Sequence, residues 1–156
     1  MAGACGSCTL CCKLLGIPEL NKPQGSWCHH CKIGHGCEKY ESRPHSCEIF
    51  ECMWLTSQSK EKVGDRMPLS LRPDKSKVVI SGDSETVSAH CDRGQSTAWQ
   101  SDPIGAILNA LAMEGRKVVV NNGAGKYFLI ENGKAREVMM SQPDVNGVQC
   151  FQGYKA

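Results

Sequence analysis

The stretch Ser101-Asp102-Pro103-Ile104-Gly105-Ala106-Ile107-Leu108-Asn109-Ala110-Leu111, followed shortly by Lys117-Val118-Val119-Val120, decides the fold class. Ser101 stands where a capping hydroxyl is favoured, Asp102 puts an acid in the first turn, and Pro103 occupies a position where no amide donor is missed. Ile104, Ile107, Leu108 and Leu111 recur at helical spacing and give one apolar face, which is a core stripe. Gly115 ends the helix. The valine run that follows reads as a strand. Outward from it, Asn121-Asn122-Gly123 turns the chain and Tyr127-Phe128-Leu129-Ile130 returns. Glu131-Asn132-Gly133-Lys134 then carries the Asn-Gly signal of a tight hairpin into a strand over 135–139. Upstream, residues 77–80 form a strand ending at Ser81-Gly82-Asp83, with Thr86 to Cys91 as its neighbour. The order is β-β-α-β-β-β, an α+β arrangement with a small antiparallel sheet and one main helix. The glycines and lysine of residues 121–126 lack the phosphate-loop pattern and lie between strands, so they read as a hairpin connection.

The other half of the chain has a different character. Nine cysteines fall within residues 5–52: Cys5, Cys8, Cys11, Cys12, Cys28, Cys31, Cys37, Cys47 and Cys52. Residues 1–55 read as an irregular cysteine module nucleated by metal. Residues 56–75 read as a polar connection, and residues 76–156 as the small α+β region, packed with the first as one unit. A disulfide framework would need an oxidising compartment, and the total of eleven cysteines is odd. The start Met-Ala-Gly-Ala-Cys-Gly has neither a basic nor an apolar leader segment. No run approaches the length of a membrane span. The expected setting is the cytoplasm.

Cys-x-x-Cys spacing lets two sulfurs reach one ion. Cys5/Cys8, Cys8/Cys11 and Cys28/Cys31 all have it, and such thiolate sets favour zinc or iron–sulfur. Consecutive side chains diverge, so the Cys11-Cys12 doublet points to neighbouring ions or to bridging sulfurs. Two closed four-thiolate sites leave one sulfur over. A polynuclear cluster uses all nine, and an iron–sulfur cluster plus one zinc is also countable. His29 and His30, inside the Cys28–Cys31 pair, read as neighbours of a site rather than as its ligands. His35 is an alternative ligand, and His45 is placed to hydrogen-bond a sulfur. His90-Cys91 reads as a core cysteine beside a surface histidine. Trp27, Tyr40, Phe50 and Trp54 read as packing that shields the metal from water, and Arg43 as an offset to thiolate charge.

The order Cys5-x-x-Cys8-x-x-Cys11-Cys12, Lys22-Pro23-x-Gly25-x-Trp27-Cys28, Gly36-Cys37-x-x-Tyr40-Glu41-x-Arg43-Pro44-x-x-Cys47-x-x-Phe50-x-Cys52-x-Trp54-Leu55 resembles the CxxCxxCC family of cysteine-cluster proteins (YkgJ-like), described as zinc- or iron-chelating domains. The resemblance covers about the first third of the chain. It implies metal binding through Cys5, Cys8, Cys11, Cys12, Cys28, Cys37, Cys47 and Cys52, with Cys31 as an extra. A related motif occurs in flagellin lysine methylases, but no segment here reads as a binding site for their methyl donor.

These readings give a metal-binding protein that holds zinc, mononuclear or polynuclear, in a structural or metal-handling role. The alternative is an iron–sulfur redox protein or an accessory subunit of an enzyme. Catalysis is not expected, because no carboxylate among Glu38, Glu41, Glu48 and Glu51 has the setting of a general base. With a net charge of +2 and near-balanced charges around the cysteines, the expected partners are metal ions, without nucleic acid or membrane.

Overall fold

The computed structural model describes residues 6–145 and 148–156. Helices α1 (Leu10–Leu14), α2 (His45–Ile49) and α3 (Met53–Ser57) lie in the cysteine module, together with the two-residue strands β1 (Cys31–Lys32) and β2 (Gly36–Cys37). Then come α4 (Pro73–Ser76), β3 (Val78–Gly82), β4 (Thr86–Cys91), α5 (Ile104–Met113), β5 (Lys117–Asn121), β6 (Tyr127–Glu131), β7 (Lys134–Met140) and β8 (Phe151–Tyr154). The fold is α+β. Strands β3 to β8 make one sheet in chain order.

That sheet is not purely antiparallel, as the sequence reading had it. β4 and β5 pair in parallel, from Thr86 against Lys117 to His90 against Asn121. The cause is α5. A strand followed by a helix that crosses the sheet must re-enter in its original direction, and a parallel pair needs such a crossover. The other pairs in the sheet are antiparallel. The sixth strand, β8, was not anticipated. It adds to the open edge of β7 with an irregular register at Met139 and Met140.

Pleat alternation sorts the sheet into two faces. Val78, Ile80, Val87, Ala89, Cys91, Val118, Val120 and Ile130 point to one side and pack with Leu71, Trp99, Ile104 and Leu108. The apolar stripe of α5 is core, as its spacing implies. The helix begins differently, however. Pro103 takes the cap position with no side-chain hydrogen bond, and Ser101 contributes its carbonyl to the Gly105 amide at 3.0 Å instead of its hydroxyl. Gly115 closes the helix with φ of 91°, its amide donating a hydrogen bond to the Ala112 carbonyl at 3.0 Å.

The opposite face is covered at β3 by the cysteine module. Val79 is fully buried against Leu10, Leu14, Cys52 and Leu55. Leu10 and Leu14, four apart on α1, share the face that seats the module on the sheet. The stretch 56–75 is polar in composition yet pinned by its few apolar groups. Leu71 is buried in the sheet core and Met67 packs against it.

Gly123 connects the turn after β5 to the end of β4. Its φ is 75°, and a Cβ there would stand 2.5 Å from the Cys91 carbonyl oxygen and 2.9 Å from the Arg93 amide. Both neighbours are backbone, so neither yields cheaply. Gly123→Ala is expected to destabilise the fold by at least about 2 kcal/mol, read from the urea midpoint. Gly94→Ala, with open space around it, should stay within about 0.5 kcal/mol.

Candidate metal centre

Local hydrogen bonds set out the cysteines. The Cys31 amide donates to the Cys28 carbonyl at 3.0 Å and closes the Cys28-His29-His30-Cys31 turn. The Cys28 amide donates to the Cys12 carbonyl at 3.0 Å, tying this turn to the end of α1. β1 and β2 then place Cys31 and Cys37 directly opposite each other, where side chains of an antiparallel pair are neighbours. Cys47 comes in on α2, whose N-terminus is held by Glu19. That carboxylate accepts from the Ser46 amide at 2.9 Å and from its hydroxyl at 2.6 Å. The Gly34 amide donates to Thr9 Oγ1 at 3.1 Å and fixes the hairpin tip to the start of α1.

The result is a cavity of about 1110 Å³ between the cysteine module and one end of the sheet. Cys8, Cys11, Cys12, Cys28, Cys31, Cys37 and Cys47 all line it. Cys52 does not. It lies behind α1, around a cavity of about 20 Å³ that it shares with Cys8, Cys11 and Phe50. There its sulfur accepts from the Leu55 amide at 3.5 Å and caps α3. Cys8 and Cys11 touch both spaces, one on each side of α1. Cys5 lies outside the described residues. Cys8, Cys12, Cys28, Cys31, Cys37, Cys47, Cys91 and Cys150 are free thiols.

The thiols perturb one another, which reports their proximity. Hydrogen bonding from Cys11 lowers the Cys12 pKa against the effect of burial, and Cys31 and the charge of Lys22 add to the lowering. Cys31 moves the opposite way, through burial first and then the negative charge of Cys12. Cys47 is pushed up to about 11 by burial and then by Cys12, Cys28 and Cys37. Lys22 faces this wall. The residue is 9% exposed, and its ammonium donates to the carbonyls of Lys13, Leu15 and Pro23. Burial lowers its pKa, while Cys28, Cys12, Cys11 and Cys47 act in the other direction. A buried cation needs compensating negative charge, and of the thiols facing Lys22 it is Cys12 whose pKa is lowered. In the sequence Lys22 is recognisable only as part of a motif. Its signal was a lysine flanked by Asn21 and Pro23 in a cysteine-rich loop, which does not announce burial.

The sulfurs are gathered, not closed. Among the described residues no group of three or more His, Cys, Asp or Glu side chains is arranged to hold an ion. His30 and His35 line the cavity, and the His29 and His30 rings lie in tilted contact with centroids 4.0 Å apart. His45 faces Glu48 at 3.7 Å instead of a sulfur. Arg43 lies over the Tyr40 ring at 4.0 Å. Phe50 is the aromatic that touches both cavities, whereas Trp54 donates its indole N–H to the Pro68 carbonyl. Cys91 is in the core, as expected, and Cys150 is exposed. No family model, curated protein or solved structure matches this chain. Among the described residues no helix is long and apolar enough to cross a membrane.

Proposed function

We propose that this protein binds zinc, through the cysteine wall, in a structural or metal-handling role, and that it is a member of the CxxCxxCC family. One observation carries the reading. Seven cysteines from three separate segments line a single cavity that faces a buried lysine. Soft sulfur donors select zinc or iron–sulfur over hard ions. Cys11, Cys12, Cys28, Cys31, Cys37 and Cys47 would hold the metal, with Cys8 and Cys52 extending the set behind α1. Bound zinc supplies cross-linking of chain segments that have little apolar material of their own. Lys22 offsets the charge of the thiolates, and Glu19 positions Cys47 by capping α2. A cytoplasmic setting, which keeps thiols reduced, belongs to the same reading.

The test is elemental analysis with the metal-to-protein ratio on anaerobically purified protein. The expected result is colourless protein with stoichiometric zinc. Brown protein containing iron and acid-labile sulfide would replace zinc by the iron–sulfur alternative. Protein without metal, after growth with zinc and iron supplied, would sink both.

A further inference from the structure

A row of cross-strand partners runs beneath the cysteine wall. Val79, His90, Asn121 and Tyr127 are successive neighbours on β3, β4, β5 and β6. Cys91 points into the helix-side core, so alternation sends His90 to the other face. There its partner Val79 packs on Leu10 and Leu14 of α1, the helix that bears Cys11 and Cys12. Two contacts fix the same corner. Lys13, next to Cys12, places its ammonium 2.7 Å from Asp92. Asn121 donates to Gln24 Oε1 at 3.4 Å.

His90, on the sheet, therefore lines the same cavity as the thiols. Its Nδ1 is buried with no hydrogen-bond partner among the described residues. A buried nitrogen left in this condition is costly unless something in the cavity meets it. Burial also holds its pKa down to about 4, so the ring is neutral and keeps a lone pair at ordinary pH, the form that ligates metals.

We propose that His90 supplies a nitrogen donor to the metal of the cysteine wall, which makes the centre a mixed sulfur–nitrogen site built jointly by the module and the sheet. The inference rests on the metal reading above. Mixed cysteine–histidine sets are common for zinc. His30 and His35 line the cavity too, but neither has an orphaned buried nitrogen.

The test compares zinc-loaded wild-type protein with His90→Gln and His30→Gln by X-ray absorption at the zinc edge. Circular dichroism checks the fold, and His90→Asn is a second variant should His90→Gln fold poorly. The wild type should give sulfur scattering together with the outer-shell pattern of imidazole. His30→Gln should keep that pattern. His90→Gln should lose it and bind zinc at least about tenfold more weakly. Sulfur-only scattering in the wild type would overturn the role of His90 and leave the cysteine reading intact. So would an imidazole pattern that survives in a folded His90 variant. Wild-type protein that takes up no zinc would overturn both.

Discussion

Cys12→Ser is expected to weaken metal binding more than about a hundredfold. Cys12 is the junction of the thiol wall. It touches Cys11 and Cys31, and its charge reaches Cys47 and Lys22. Removing a hydrogen-bond partner that merely orients a ligand costs about 10–100-fold, so losing a sulfur donor itself should cost more. Serine preserves size but offers a hard oxygen that stays protonated at neutral pH. Competition against a chromophoric zinc chelator measures the change. Cys150→Ser, at an exposed position after β7, should leave affinity unaltered. If Cys12→Ser binds zinc like the wild type, Cys12 is not a ligand and the shared-wall arrangement is wrong.

The second large effect lies in the sheet core. Leu108, on the inner face of α5, is fully buried against the helix-side face of the sheet. Leu108→Ala is expected to cost about 3–4 kcal/mol, within the range for leucine truncations that leave a cavity. For a domain of this size that corresponds to a melting temperature lower by roughly 10 °C. Leu111, half-buried on the same stripe, should cost about half as much on truncation. Met113→Ala, at a side chain 73% exposed, should fall within about 0.5 kcal/mol. Thermal unfolding followed by circular dichroism orders the three. Equal losses for Leu108 and Met113 would mean that α5 does not seat on the sheet as described.

Much of the fold was legible because its signals are local. The helix face of Ile104, Ile107, Leu108 and Leu111, the Val118-Val119-Val120 strand and the hairpin at Asn132-Gly133 each declare themselves by periodicity or turn chemistry. Asn132 indeed takes a φ of 50° and Gly133 one of 74°. The parallel pairing of β4 and β5 follows from the strand-helix-strand order. β8 had no such signal. Phe151-Gln152-Gly153-Tyr154 is short, contains glycine and becomes a strand because β7 offers it an unpaired edge. The Ser101 side-chain cap does not form; the Gly105 amide is met by the serine carbonyl, not by its hydroxyl.

By itself, the sequence determined that cysteines dominate residues 5–52, that ordinary apolar patterning begins near residue 76, and that the second region is α+β. Composition and periodicity are properties of short windows, and physics acts on them locally. Only the tertiary structure decided how the thiols divide. α1 is anchored by Leu10 and Leu14, so one helix separates Cys52 from the main wall while Cys8 and Cys11 face both sides. Likewise, Cys91 and His90 are adjacent in the chain and lie on opposite faces of one sheet. The strand pleat splits them, and the module docked over one end turns what read as a surface histidine into part of the cavity floor. Such relations depend on which segments meet across long stretches of chain, and no local window contains them.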